Sequence, residues 1–267
     1  MAESWLMKMK FEEALLSIYR SRPCQVLPNA LWKTIDLVDS MGSDYTMENM
    51  ITKLWMGDDE SLHIYWTRDR TRFDLSTDYM YNLNFALFHE DYINNVPLES
   101  FSTIEKYFRI SRINMNIPDL DKHNKFRIKP VNLDKDAAKV SDMISRCYEN
   151  IKPDKEEVLS WKEHTMFDDD LWVWVHDVEE DRYAGLGIAE LDRTVPEASL
   201  EWIQVDPDYH GQDIGKMIVY ELLKRVKGNV KFVTVSGKYD TEDSPKGFYE
   251  SCGFRGNDIW YVLRNKS

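Results

Sequence analysis

Two stretches of this chain hold residue types whose order can do chemistry. The first is Leu200–Lys216, L-E-W-I-Q-V-D-P-D-Y-H-G-Q-D-I-G-K. A β-type run ends in a loop with glycines, and the loop opens a helix. The first backbone N–H groups of a helix have no partner inside it, so they bind anions such as phosphate. Gly211 and Gly215 lack a Cβ and let a phosphate approach the backbone, and Lys216 adds a positive charge. Alone, the same pattern also reads as a plain turn with a capped helix. The second stretch is Gly247–Phe254, G-F-Y-E-S-C-G-F. It reads as a short amphipathic helix with a glycine stop, in which Tyr249 is either a packing residue or a proton donor.

The elements around these stretches follow from hydrophobic periodicity. A strand is expected at Phe126–Val131 and helices at Asp134–Tyr148 and Pro153–Met166. Leu171–Val178, Tyr183–Asp192 and Ala198–Val205 read as three consecutive strands. Asp213 stands at the N-cap position of a helix running from Ile214 to about Lys227, which Gly228–Asn229 stops. Val230–Val235 is a further strand, Pro245–Ser251 a short helix, and Ile259–Leu263 the last strand. The order β-α-α-β-β-β-α-β-α-β implies an α/β mixed sheet with helices on both faces.

Before it, helices are expected at Phe11–Tyr19, Asn29–Val38 and Met47–Met56, and strands at Leu62–Trp66 and Asn84–Phe88. Phe101–Ile110 fits either type. The polar, Pro118-containing segment Asn116–Lys125 is the expected boundary. It divides the chain into a mixed α/β region, 1–120, and a second domain, 125–267. The first region runs helices and then strands, as a degenerate copy of the second would, but it has no Gly loop able to hold a diphosphate.

Taken together and in this order, the two chemical stretches resemble the GNAT superfamily of acyl-CoA-dependent N-acyltransferases. The matching residues are Val205, Pro207, Tyr209, Gly211 and Gly215, then Phe248, Tyr249, Gly253 and Phe254. The resemblance covers roughly residues 125–264. It implies that acetyl-CoA is the acyl donor, its pantetheine arm pairing with the backbone of Ile203 and Val205. Its diphosphate would lie on His210, Gly211, Gln212, Asp213, Ile214, Gly215 and Lys216. A backbone N–H near Ile203 would face the oxyanion.

The resemblance further implies that Glu201 deprotonates a primary amine, whose ammonium pKa is ~10, and that Tyr249 protonates the departing thiolate. Attack is direct, in a ternary complex with a small-molecule amine. Two departures stand out. His210 replaces an Arg or Gln, and Asp213 replaces the first glycine of G-x-G, placing a carboxylate beside the diphosphate. The alternative they leave open is a non-catalytic acyl-CoA-binding or regulatory protein on the same fold. Asp168, Asp169 and Asp170 either attract the amine or form a solvated loop. Trp161, Trp172 and Trp174 either line the acceptor side or fill the core.

Composition removes other classes. The formal net charge of −13 over 267 residues is spread along the chain, which argues against a nucleic-acid partner. No apolar run approaches the ~20 residues that span a bilayer, so no membrane association is expected. Cys24, Cys147 and Cys252 form no CxxC, and the six histidines show no metal-ligand spacing. A cytoplasmic protein with reduced thiols and no metal is expected. The N-terminal region would cover the acceptor or join two copies as a homodimer.

Overall fold

The computed structural model describes residues 13, 15–35, 45–46, 53–54, 62–65, 85–119, 125–148, 151–240 and 244–264. In chain order the strands are β1 Tyr45–Thr46, β2 Lys53–Leu54, β3 Leu62–Tyr65, β4 Phe85–His89, β5 Thr103–Arg112 and β6 Phe126–Pro130. They continue with β7 Trp172–Asp177, β8 Arg182–Asp192, β9 Glu197–Val205, β10 Phe232–Lys238 and β11 Arg255–Arg264. The helices are α1 Pro23–Val26, α2 Leu133–Cys147, α3 Lys155–Ser160, α4 Ile214–Val226 and α5 Lys246–Ser251. The chain divides into two units. One comprises Met1–Ser111, Ser236–Glu250 and Arg255–Ser267; the other comprises Arg112–Val235 and Ser251–Phe254.

In the first unit, residues 15–19 and 31–35 are helical, inside the expected first and second helices, whose remaining ends lie outside the described residues. β2 pairs antiparallel with β1, where a helix over Met47–Met56 was expected; the rest of that segment also lies outside the described residues. β3 runs parallel to β4, and β11 pairs antiparallel with both β4 and β5. Phe101–Ile110, which fitted either type, is therefore largely strand. Ala86, Phe88, Val96, Phe101 and Leu263 pack as a core. Buried Arg109 donates to the Tyr19 hydroxyl at 2.6 Å and to the Pro28 carbonyl at 3.3 Å, so its charge is not left bare.

The second unit follows the expected β-α-α-β-β-β-α-β order, and its sheet runs β10-β9-β8-β7-β6. β6 through β9 pair antiparallel, while β10 joins β9 in parallel through the α4 crossover. That topology is the reason α4 begins just beyond the C-terminal end of β9. The apolar stripe of α2, with Ala137, Val140 and Ile144, packs against Trp172, Trp174, Leu186 and Ile188. Fully burying a side chain such as Val140 or Ile144 contributes about 1.5–3 kcal/mol.

α4 covers the opposite sheet face. A Cβ on Gly187 would lie 2.2 Å from Ile218, and one on Gly185 would lie 2.8 Å from Ile214, so the two glycines let this helix sit close to β8. α3 is shorter than the expected Pro153–Met166. Asp154 caps its start by accepting from the Glu157 amide at 2.7 Å. From Trp161 the chain tightens into a 3-10 turn, with the His164 amide bonding to the Trp161 carbonyl.

Candidate functional site

The loop between β9 and α4 is fastened at its root. The Asp206 amide donates to the Ala184 carbonyl at 3.0 Å. The fully buried Asp206 carboxylate accepts from the Asp208 amide at 3.1 Å and lies 2.7 Å from Arg146. Arg182 bridges on to Asp208 at 3.0 Å. Tyr209 is buried against Phe126, with Arg182 and Lys125 near its ring face. Burial, followed by a hydrogen bond with Asp177, pushes its phenol above the ordinary value. Burial also raises Asp177, but hydrogen bonds from the Glu179 and Glu180 amides, Lys125 and Tyr209 outweigh it and hold the carboxyl below its usual range.

Beyond that root the backbone opens. Gly211 has φ 77°, and a Cβ there would meet open space. The N–H groups of Gly211, Gln212, Asp213, Ile214, Gly215 and Lys216 donate to no acceptor among the described residues, whereas the Met217 amide already closes onto the Asp213 carbonyl. Unspent amides at the mouth of a 13-residue helix are the donor set a diphosphate needs.

Asp213 occupies the N-cap position, as expected, but with φ 57° and with no capping hydrogen bond from its side chain. Left-handed backbone suits glycine and is tolerated by Asp, which gives a physical reason for a glycine at this place in the family pattern. The Asp213 carboxylate turns to Lys216, 3.1 Å away, and this contact raises the ammonium's pKa. The loop's anion donors therefore stay open, while its one lysine is held by a neighbour. His210 Nε2 lies 3.3 Å from the Val205 carbonyl, a hydrogen bond in the tautomer that donates there.

β9 presents the second half of the site. Parallel pairing with β10 covers Glu197 to Leu200 and stops there. Against β8 the register jumps, with Ala189 opposite Leu200 and Ile188 opposite Trp202, so Glu201 is the extra residue of a bulge. Past the bulge, the Asp206–Ala184 bond fixes the alternation of the antiparallel ladder. It makes Gln204 and Trp202 the residues that bond to β8, and it turns the N–H and C=O groups of Ile203 and Val205 away from β8.

Ile203 and Val205 lead from the bulge at Glu201 to the C-terminal end of β9, and the loop with His210 through Lys216 runs from there into α4, all within one unit. Tyr249, on α5, belongs to the other unit. It is buried there, with its ring 6.3 Å from Phe108 and 5.0 Å from Phe248.

The three consecutive aspartates bring carboxylate oxygens within 4.8 Å of one another. Asp168 pairs with Arg193 at 2.6 Å and accepts from the Asp170 amide. Trp172 and Trp174 are core residues, whereas Trp161 is only partly buried. Sequence reasoning missed Cys147, whose thiol donates to the Val205 carbonyl at 3.5 Å. Burial, followed by the charge of Asp206, pushes this thiol up to about 11. It also missed the Arg146–Asp206 anchor. The one legible signal there was an Asp immediately before a Pro, which marks a turn.

Comparison with known proteins agrees with this geometry. Residues 168–256 match the family model described as an acetyltransferase (GNAT) domain. No curated protein matches the sequence. Among solved structures, a GNAT-family acetyltransferase from Colwellia psychrerythraea aligns with a TM-score of 0.63 at 12% identity, covering 97% of each chain. A Drosophila protein aligns at 0.56 and 11% identity over 95% of each chain. A GCN5-related N-acetyltransferase from Sphaerobacter thermophilus aligns at 0.56 and 10% identity; the match covers 67% of this chain and 58% of that one. At such identities the likeness is one of fold. The family match, the element order and the open amide loop lead to one conclusion: the C-terminal part of this chain is a GNAT-superfamily acetyltransferase domain.

Proposed function

We propose that the chain transfers an acetyl group from acetyl-CoA to the primary amine of a small molecule, by direct attack in a ternary complex, with residues 125–267 as the transferase domain and 1–120 as an accessory domain. The observation that carries this reading is the set of six uncommitted amides from Gly211 to Lys216, beside the outward-turned backbone of Ile203 and Val205. Bound there, acetyl-CoA supplies an activated thioester.

The chain's own groups do the rest. The loop amides hold the diphosphate, and the edge of β9 takes the pantetheine arm as an added strand would. An N–H of that edge stabilises the oxyanion. Glu201 removes a proton from the ammonium, directly or through water, the nitrogen lone pair then attacks the thioester carbonyl, and the nitrogen sheds its second proton to solvent as the amide forms. As the C–S bond breaks, Tyr249 gives its proton to the thiolate. The F-Y-x-x-x-G-F pattern supports this last role. Holding amine and thioester together does much of the work, so the loss of one acid or base costs ~10²–10⁴-fold.

Calorimetry with acetyl-CoA, followed by thiol release with a panel of amines, tests the reading. Saturable heat and amine-dependent thiol are expected. Tyr249→Phe should slow turnover and leave acetyl-CoA affinity nearly intact. Absence of heat at millimolar acetyl-CoA would instead favour a non-catalytic protein on this fold, the reading that Asp213 keeps open.

A further inference from the structure

Resting on that transferase reading, we infer that the acceptor is an alkylamine that carries a flat aromatic ring, and that the ring lies on an aromatic face built from Trp202, Trp161 and Tyr148.

The bulge makes the argument. Gly187 faces α4, because a Cβ there would meet Ile218 and Leu222. Ile188 therefore faces the other way, and it packs in the core under α2 with Trp202 beside it. Ala189, and Leu200 opposite it, return to the α4 face. Between Leu200 and Trp202 stands the extra residue, Glu201. Strand alternation from Leu200 turns Glu201 to the α2 side, and the register jump puts Trp202 on the same side. A carboxylate and an indole thus stand next to each other on one face of β9, which an unbroken strand forbids.

That indole is part of a built surface. Trp202 stacks on Trp161 with centroids 5.8 Å apart and planes 9° from parallel. Tyr148 meets Trp202 edge-on at 5.9 Å. Trp161 in turn leans on buried Trp172 at 6.1 Å, and Trp172 is backed by Phe167. Tyr148 and Trp161 are the C-cap residues of α2 and α3, so helix ends fix their positions. Trp172 is buried, while Phe167, Trp161 and Trp202 are partly buried and Tyr148 is 41% exposed.

Such a face favours a flat ring by stacking, and an ammonium by cation–π attraction together with the Glu201 carboxylate. An acidic or phosphorylated acceptor fits it poorly. Arg146 and Arg182 pair with Asp206 and Asp208.

The test uses the full chain, acetyl-CoA and thiol release. The probes are 2-phenylethylamine, tryptamine, 2-cyclohexylethylamine, hexylamine and glucosamine. The aryl amines should exceed 2-cyclohexylethylamine by at least tenfold in kcat/KM. Trp202→Leu should erase most of that ratio, chiefly through KM, and Trp202→Phe should restore part of it. Tyr148→Leu, at the exposed rim, provides a variant with little risk to folding and should lower the ratio severalfold. Acetyl-CoA affinity should be unchanged in all three.

Equal turnover of 2-phenylethylamine and 2-cyclohexylethylamine overturns the aromatic acceptor. Turnover of glucosamine or hexylamine alone also overturns it, while leaving the transferase reading in place. Absence of both acetyl-CoA heat and thiol release removes that reading, and this inference with it.

Discussion

The loop Asp206–Lys216 and the bulged end of β9 adjoin each other, yet they are built by opposite means. The loop works through main chain. Its donors are amides, its shape comes from left-handed backbone at Gly211 and Asp213, and its root is pinned by Asp206 and Tyr209. The bulged segment works through side chains, with one displaced residue setting a carboxylate beside a stack of aromatic rings. A site made of amides tolerates side-chain changes that keep the backbone in place. A site made of a misregistered strand depends on which residue occupies the extra position.

The largest expected effect tests that second half. Glu201→Gln keeps size and bulge but removes the proposed base, so kcat should fall ~10²–10⁴-fold while calorimetry gives unchanged acetyl-CoA affinity. Equal activity would mean that the bulge only shapes the strand. Gly187→Ala tests the support of the first half. Its methyl would collide with Ile218 and crowd Val173, costing about 1–3 kcal/mol by overpacking. A thermal melt reads this as a lower Tm, together with weaker acetyl-CoA binding as α4 is pushed off the sheet.

Asp213→Gly should have the smallest effect. Relief of left-handed strain and the added freedom of glycine nearly offset each other, so stability should move by less than about 1 kcal/mol. Removing the carboxylate frees Lys216 and ends its repulsion of a diphosphate. About 1 kcal/mol of Coulomb energy in water corresponds to a roughly fivefold gain in acetyl-CoA affinity. An unchanged Kd would show that the Asp213–Lys216 pair already neutralises itself as far as the ligand is concerned.

The same contrast explains what could be read from residues alone. The loop was legible because glycines and an N-cap position carry backbone requirements in their identity, and because strand–loop–helix order follows from periodicity. Asp213 was readable as an N-cap position, but its αL geometry and its turn toward Lys216 were not, since they depend on where a lysine one helical turn later points. The bulge left no mark. L-E-W-I-Q alternates no differently with an extra residue than without one, and the face of Trp202 follows only from its pairing with Ile188. Cys147 was equally silent, because its bond to Val205 joins residues 58 positions apart. α3 was overestimated because Trp161 and His164 continue a helical pattern in sequence while the backbone has already tightened.

Gly185 and Gly187 act at a distance from any ligand. With hydrogen where other strands carry methyls, β8 lets a helix rest almost on its peptide planes, and the height of that helix sets where its first turn, and so the whole amide mouth, hangs beyond the sheet. In the proposed transferase, two positions with no reactive atom would therefore act as the spacer between the bound donor and the amine. A change there would detune the reaction while every group named in the chemistry stayed in the chain.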